Sequence, residues 1–267
     1  MIGVFDSGYG GLAVFKEIEK LLPDYDYIYL GDNARAPYGD RSQALIYNYT
    51  KQAIDYLFSQ GADLIILACN TASAMALRRL QQENLPEKYK GKNVLGVIRP
   101  MVEAVGEFSK RNVVAIMGTT STVESGAYIQ EFANLDKNIK VVQQACPLLV
   151  PLIEASRESR PETKIIVTEY TRPLKKYNPD VVVLGCTHYG WLFDTIKNNF
   201  SRDTIILESG EIVAAKLKDY LERHQQYVVS STRRERIFLT TNSTEKFDKA
   251  AEKFLGRSIK SKKIKLT

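Results

Sequence analysis

Cysteine and histidine are scarce in this chain of 267 residues, which has three cysteines and two histidines. The cysteines are odd in number, widely spaced and without a C-x-x-C pair, so a disulfide framework is poorly supported. Structural zinc sites are built mainly from cysteine and histidine, and the chain adds only His188 and His224 to the cysteines, so such a site is poorly supported as well. The residues themselves therefore indicate no metal site.

Long hydrophobic runs are also missing. Met1 is followed by Ile-Gly-Val-Phe, which is typical of a strand and not of a signal sequence, and no apolar run reaches membrane-spanning length. We therefore expect a cytoplasmic protein with no membrane partner. A content of 44% hydrophobic and 25% charged residues is ordinary for a globular protein, and the length suits one large or two smaller domains.

The formal charge of +6 does not form a basic stripe along the chain. Five of the positive side chains fall near the carboxyl terminus: Arg257, Lys260, Lys262, Lys263 and Lys265. This distribution favours a solvated, frayed tail over a phosphate-binding arm, so we expect no nucleic-acid partner.

Two matching segments stand out, residues 63–71 (DLIILACNT) and 180–188 (DVVVLGCTH). In each, an aspartate precedes four branched aliphatic residues, a small residue and a cysteine. A continuous apolar run of this length predicts a strand buried on both faces, as in a parallel sheet covered by helices. Ligands of such sheets bind at the carboxyl ends of the strands, which is where Cys69 and Cys186 would lie.

The two segments belong to a longer repeat of alternating strands and helices, which predicts parallel sheets. Strands are expected at 2–5, 27–30, 64–68 and 94–98, and again at 113–117, 139–143, 181–184 and 204–207. Val4 then corresponds to Ala115 and Ile66 to Val183, offsets of 111 and 117 that indicate a tandem duplication. We predict a first α/β domain of residues 1–98 plus 209–267 and a second of 99–208, with 99–108 as a bridging segment.

The first strand of each half leads into a short polar loop, residues 6–11 (DSGYGG) and 118–122 (GTTST). Ser121 and Glu124 have the spacing of a capping box, which predicts a helix start. Backbone N–H groups at helix starts bind anions, so the crevice would suit a small ligand with a carboxylate.

Gly8, Gly10 and Ala13 also fit a loose dinucleotide-binding fingerprint, with Asp32 where a ribose-binding acid is sought. We disfavour this interpretation, because Asp6 would repel a pyrophosphate and because one cofactor site leaves the repeated cysteines unexplained.

The repeated cysteines are candidates for proton transfer, since a helix start and hydrogen-bond donors can lower a thiol pKa. Either cysteine alone would more often be a small buried hydrophobic residue. Equivalent placement in two copies favours a shared chemical role instead, and His188 could hold the proton of Cys186. Cys146 has no counterpart, and His224 is expected on a solvated helix face.

Together these pieces make the chain resemble the glutamate racemases. The matching motifs are residues 5–12 (FDSGYGGL), 32–39 (DNARAPYG), 68–74 (ACNTASA), 96–100 (GVIRP), 145–148 (ACPL) and 184–189 (LGCTHY), in the family's order. The resemblance implies two tandem flavodoxin-like α/β domains, related by pseudo-twofold symmetry, with the active site at their interface. It also implies a cofactor-independent enzyme that interconverts L- and D-glutamate and supplies the D-isomer for peptidoglycan.

The resemblance makes Cys69 and Cys186 the catalytic pair, one removing the α-proton while the other delivers a proton to the opposite face. It places Asp6 as a helper on the Cys69 side, and Glu154 and His188 on the Cys186 side. From the residues alone, an ordinary helix-surface role for Glu154 is favoured over a proton relay. The substrate contacts carried over are Asp6, Ser7, Tyr38, Gly39, Asn70, Thr71, Thr119, Thr122, Thr187 and His188.

Some positions depart from the family pattern. Gly190 replaces a common proline, and Arg99 and Met101 flank Pro100 where other residues are usual. These positions are expected beside the cleft-forming strand ends, so they bear on substrate preference and turnover more than on reaction type. We expect no activation by a peptidoglycan precursor, because the chain lacks the amino-terminal extension of activated relatives. Aspartate or hydantoin racemisation stays open, as does a non-catalytic two-domain ligand-binding module. The sequence does not fix the oligomeric state, for which a homodimer is one candidate.

Overall fold

A computed structural model of the protein describes residues 1–135, 138–227 and 234–266. The strands are β1 (Ile2–Asp6), β2 (Tyr27–Gly31), β3 (Leu64–Leu67), β4 (Asn93–Gly96), β5 (Val113–Gly118), β6 (Lys140–Ala145), β7 (Val181–Gly185), β8 (Ile205–Leu207), β9 (Arg236–Thr240) and β10 (Ser261–Lys263). They form two parallel sheets, in the order β10-β9-β2-β1-β3-β4 and β6-β5-β7-β8. The predicted fold class is confirmed.

Helices connect successive strands, as parallel pairing requires. The α-helices are α1 (Gly11–Leu21), α2 (Gln43–Ser59), α3 (Asn70–Arg79), α4 (Leu85–Lys88), α5 (Ile98–Phe108), α6 (Thr120–Glu124), α7 (Ala127–Leu135), α8 (Leu149–Glu154), α9 (Pro161–Lys175), α10 (Phe193–Lys197), α11 (Ser209–Arg223) and α12 (Thr244–Leu255). A π-helical turn at Leu80–Asn84 joins α3 to α4, and 3₁₀ turns lie at Tyr189–Leu192 and Gln225–Tyr227.

The central strands are buried because their apolar runs are continuous. Every residue of β1, β3 and β7 is buried, and β1 pairs with β3 while β5 pairs with β7. Phe5 lies opposite Leu67, and Met117 lies opposite Leu184. Helices cover both faces of such strands, and burial of branched aliphatic side chains stabilises the sheet by about 1.5–3 kcal/mol for each fully buried residue.

The two sheets repeat one strand order, β2-β1-β3-β4 and β6-β5-β7-β8, which agrees with the duplication expected from the sequence. In each copy the second strand lies on one side of the first strand, and the third and fourth strands lie on its other side. This flavodoxin-like order opens a crevice at the carboxyl ends of the first and third strands, where ligands of open α/β sheets bind. The segments that follow β1 and β3 include Ser7 and Cys69, and those that follow β5 and β7 include Thr119 and Cys186.

The last part of the chain returns to the first sheet. Strand β9 pairs with β2 in register Tyr29 to Phe238, and the buried residues of α11 and α12 join the core around Phe15. Phe15, Tyr29 and Phe238 pack ring against ring at centroid distances of 5.6–6.3 Å. The division at residues 98 and 209 stays a prediction.

The expected strand 94–98 and bridging segment 99–108 are wrong in part. The strand ends at Gly96, and Ile98 begins a helix that runs to Phe108. Ile98, Met101, Val102 and Val105 are buried on one side of this helix, at the spacing that an amphipathic helix requires. Pro100 is tolerated because it lies in the first turn, where its missing N–H group has no helical partner.

The expectation of a frayed carboxyl-terminal tail is also wrong. Ser261–Lys263 pair with β9 as an edge strand, and the Ile264 N–H donates to the Thr240 carbonyl at 2.9 Å. Ile264 and Leu266 pack against the core, while Lys262 and Lys263 are exposed. The tail is ordered because it provides hydrogen-bond partners for backbone groups of β9 that would otherwise lack them. The exposed lysines disfavour pairing of this new edge strand with another chain.

Among the described residues, no helix is both long enough and apolar enough to cross a membrane.

Candidate active site

Both repeated cysteines line one small cavity between the two sheets, with a volume of about 40 Å³. Of the residues proposed from the sequence, those lining it are Ser7, Tyr38, Gly39, Cys69, Asn70, Thr71, Thr119, Glu154, Cys186, Thr187 and His188. Asp6 and Thr122 lie directly behind this lining and contact it through hydrogen bonds. A larger neighbouring cavity of about 670 Å³ reaches Cys186 and Thr187 from the other side but contains one thiol only.

Cys69 is the N-cap residue of α3, and its Sγ accepts a hydrogen bond from the Ala72 N–H at 3.4 Å. The Ser7 hydroxyl lies 3.3 Å from the same sulfur. Burial nevertheless raises the pKa of this thiol, Asp6 adds to the rise, and the two hydrogen bonds offset only part of it, leaving a pKa of about 12. The pKa-lowering expected from the helix start is therefore outweighed by burial, and Cys69 is a thiol at neutral pH.

Asp6 is fully buried at the end of β1, beneath the loop that it organises. Its Oδ1 accepts from the Gly8 N–H at 2.8 Å, and its Oδ2 accepts from the Thr187 hydroxyl at 3.5 Å. Burial raises the pKa of this carboxyl group, and His188 together with the Gly8 and Gly11 N–H groups lowers it only in part. Asp6 thus contacts the loop after β7 as well as acting on Cys69 through its charge.

Cys186 lies beside a buried histidine that is paired with an acid. His188 Nδ1 is 4.0 Å from Cys186 Sγ, and His188 Nε2 is 3.2 Å from Glu154 Oε1, a charge contact rather than an aligned hydrogen bond. Burial alone would lower the pKa of His188, but Cys186, Glu154 and Asp6 outweigh it and raise the pKa to about 10. His188 is therefore protonated at neutral pH and brings a positive charge next to Cys186.

Three threonine hydroxyls meet where the two halves of the chain touch. Thr71 Oγ1 is 2.9 Å from Thr119 Oγ1 and 3.3 Å from Thr122 Oγ1, and the last two are 2.9 Å apart. Thr119 also caps α6 by accepting from the Thr122 N–H, so the predicted capping box of Ser121 and Glu124 is wrong. The cap lies two residues earlier, because β5 ends at Gly118 and Thr119 is extended.

Ser121 instead joins the two halves of the site, a role that sequence reasoning missed. Its hydroxyl donates to the Gly39 carbonyl at 2.7 Å, and its N–H donates to the same oxygen at 2.8 Å. Gly10 lies against the second half as well, since a Cβ added there would be 2.6 Å from His188 Nδ1 and would also overlap the Thr187 hydroxyl. Absence of a side chain at Gly10 therefore permits the loops after β1 and β7 to touch.

Tyr38 presents its ring to the cavity while its hydroxyl points away from it. That hydroxyl donates to the fully buried Asp32 carboxylate at 2.5 Å, which also accepts from Arg35 Nε at 2.6 Å and from the Thr241 hydroxyl at 2.8 Å. Asp32 is thus enclosed by protein donors and is not placed to bind a ribose. The geometry contradicts the dinucleotide interpretation.

The second half supplies further lining residues, namely Pro147 from the 145–148 motif and, on α8, Val150 and Pro151, which no motif covered. The adjacent cysteine-proline motif was the available signal. In contrast, Arg99, Met101 and Gly190 do not line the cavity that holds both thiols. Gly190 instead lines the larger neighbouring cavity together with Cys186 and Thr187.

The remaining candidates take no part in the site. Cys146 is fully buried, with its Sγ directed at the Gln144 carbonyl at 3.4 Å. His224 stacks on Tyr220 at a centroid distance of 3.9 Å and is only partly exposed, so the expected solvated position is wrong in part. Within the part of the chain that is described, no group of three or more His, Cys, Asp and Glu side chains could hold a metal ion.

Comparison with known proteins agrees with this geometry. A sequence profile of the Asp/Glu/hydantoin racemase family matches residues 2–217. A glutamate racemase of Sulfurihydrogenibium sp. is 39% identical, over 100% of this chain and 97% of that protein. A glutamate racemase isoform of Bacillus anthracis has a crystal structure with a TM-score of 0.91 and 33% identity, covering 100% of this chain and 97% of that one. The Francisella tularensis glutamate racemase in complex with D-glutamate gives a TM-score of 0.90 at 32% identity, covering 99% and 97%. With a profile match over most of its length and full-length relatives of this identity, the chain belongs to the Asp/Glu/hydantoin racemase family.

Proposed function

We propose that this protein interconverts L- and D-glutamate by proton transfer between two thiols, without a cofactor. The observation that carries the proposal is that two cysteines at equivalent strand ends line one cavity, each with its own set of neighbours. Inversion of a carbon centre requires a base on one face and an acid on the other. Two like groups in two copies of one structural unit suit that requirement.

In the proposed cycle, one sulfur acts as a thiolate and takes the α-proton of the substrate. The other is a thiol and gives its proton to the opposite face, so the two sulfurs exchange charge states with each turnover. Burial raises the pKa of Cys69, so this sulfur is suited to start as the thiol that donates a proton. His188, protonated beside Cys186 and paired with Glu154, supplies a positive charge that stabilises a thiolate formed there.

The substrate carboxylate is assigned to the start of α3, where the first backbone N–H groups have no helical partners. Asn70 and the hydroxyls of Thr71 and Thr119 surround this point. Donors in these positions would stabilise the negative charge that grows on the carboxylate as the α-proton leaves. A cavity of about 40 Å³ holds roughly three water molecules, so glutamate entry requires the two sheets to separate.

The proposal also assigns a physiological setting. It includes a cytoplasmic location, supply of D-glutamate for peptidoglycan, and glutamate as the partner molecule, with no nucleic-acid partner. These points are supported by the family relationship, and a homodimer stays a prediction.

The test measures exchange of the α-proton of L- and D-glutamate in deuterated water, and racemisation by circular dichroism. We expect Cys69→Ala and Cys186→Ala each to lower racemisation by at least about 10³-fold, since each removes an obligatory acid–base group. Glutamate binding, followed by calorimetry, should persist in both variants.

Cys146→Ala is the matched control, because Cys146 is also a buried cysteine but does not line the cavity. It should retain most of the activity. Undiminished racemisation by either single variant at position 69 or 186 would refute the two-thiol mechanism, and faster exchange of L-aspartate than of L-glutamate would move the assignment to aspartate racemisation.

A further inference from the structure

Tyr128 is a fully buried residue of α7 that contacts both cysteine-bearing loops. Its hydroxyl donates to Asn70 Oδ1 at 2.8 Å, and Asn70 directly follows Cys69. Its ring lies against Gly185, where an added Cβ would be 3.4 Å from Tyr128 Cε2, and Gly185 directly precedes Cys186. One side chain of the second half thus connects the two positions at which the thiols enter the cavity.

The side-chain amide of Asn70 is hydrogen-bonded through its oxygen, whereas its nitrogen has no partner in the part of the chain that is described. Asn70 is 2% exposed and lines the cavity, yet its Nδ2 has no hydrogen-bond partner among the described residues. A buried donor without an acceptor is costly and therefore uncommon in folded proteins. An amide N–H₂ group held in this way beside the start of α3 suits a carboxylate oxygen of a ligand.

Tyr128 determines the orientation of the Asn70 side-chain amide. Burial raises the pKa of Tyr128, so the phenol keeps its proton and needs an acceptor. The Asn70 carbonyl oxygen supplies that acceptor at 2.8 Å. A rotated amide would leave the phenolic proton without one and would present an oxygen to the substrate carboxylate, which would repel it.

We propose that Tyr128 is a positioning residue that holds the Asn70 amide with its N–H₂ group directed at the substrate carboxylate. This inference rests on the proposed function. It assigns to α7 of the second half a role in recognising a ligand that α7 itself does not touch. Because the bond crosses from one half of the chain to the other, it also forms only when the two halves are closed on each other.

The test is Tyr128→Phe, which keeps the ring against Gly185 and removes only the hydroxyl. We expect the Kd for equilibrated DL-glutamate, measured by calorimetry, and the KM for L-glutamate to rise about tenfold, the effect of one hydrogen bond to a charged group. The kcat should fall as well, because the same N–H₂ group would stabilise the negative charge that grows on the carboxylate as the α-proton leaves.

The control for a purely structural effect is Tyr27→Phe. Tyr27 is also fully buried and donates to a backbone carbonyl, that of Leu22 at 2.7 Å, but it lies away from the cavity. This variant should lower the thermal midpoint about as much as Tyr128→Phe and leave the Kd and KM unchanged.

A double-mutant cycle with Asn70→Ala separates action through Asn70 from any other effect. In the Asn70→Ala background, Tyr128→Phe should produce no further rise in Kd. An equal rise in both backgrounds, or no rise in the wild-type background, would overturn the inference. Should Tyr128→Phe not fold, Asn70→Asp carries the test: it keeps an acceptor for Tyr128 and should abolish glutamate binding, and retained binding would refute the assigned orientation.

The two proposals can fail separately. If the wild-type protein binds DL-glutamate but exchanges no α-proton, the racemase proposal fails and the Kd cycle still decides the role of Tyr128. If it binds no glutamate at all, both are overturned.

Discussion

Replacement of Gly10 by alanine tests the contact between the two halves of the site most directly. Gly10 has φ −60° and ψ −33°, angles that alanine adopts without strain, so any effect must come from the added methyl group. That methyl carbon would be 2.6 Å from His188 Nδ1 and would overlap the Thr187 hydroxyl. Ordinary contact needs about 3.5 Å, so the loops after β1 and β7 must separate by about 1 Å.

The added methyl group should lower both the free energy of unfolding and the kcat. Forcing a group into a well-packed contact costs about 1–3 kcal/mol of the free energy of unfolding. A displacement of about 1 Å between His188 and the loop that carries Ser7 also misaligns the two sides of the cavity, which can lower kcat by about 10²-fold. Thermal unfolding and the rate of L-glutamate racemisation would measure the two effects.

Gly106 provides the matched control for Gly10→Ala. It lies within α5, and a Cβ added there would meet nothing within 4 Å. Gly106→Ala should stabilise the protein by about 0.5–1 kcal/mol, because alanine is the better helix former, and should leave activity unchanged. A Gly10→Ala variant with wild-type kcat and thermal midpoint would refute the described contact between the loops.

Three further predictions concern the surroundings of the cavity. Tyr38→Phe removes a donor to the buried Asp32 carboxylate and should lower the free energy of unfolding in urea by about 1.5–3 kcal/mol, and a loss below about 0.5 kcal/mol would contradict the described bond. The pKa of His188 is raised from 6.5 to about 10, so the stabilisation it provides is complete below pH 6.5 and is lost as the pH rises towards 10. The thermal midpoint should therefore fall over that window, less so in His188→Asn, and equal falls in both proteins would show that another group is responsible. Ser121→Ala removes the side-chain hydrogen bond to the Gly39 carbonyl and should cost about 1 kcal/mol and raise the KM for glutamate severalfold; an unchanged KM would mean that the Gly39 loop is held by other contacts.

The sequence alone was enough to predict the two parallel sheets and the equivalence of Cys69 and Cys186. Both follow from local pattern, because an unbroken apolar run specifies a strand buried on two faces and a repeated run specifies a repeated unit. The start of α5 at Ile98 was also readable, since its buried residues recur at helical spacing, although residues 99–108 were interpreted as a bridging segment.

Tertiary structure decided the features that depend on residues far apart in sequence. The pKa of Cys69 rises because burial outweighs the helix start, and burial follows from how the two halves close on each other. Hydrogen bonds between residues far apart in sequence could not be predicted from local pattern, because they depend on the folded geometry. Examples are Tyr128 with Asn70, Ser121 with Gly39, and β9 with the tail strand β10. The sequence by itself therefore determined which residues could perform the chemistry, and only the packing of the two sheets decided which of them meet and in which protonation state.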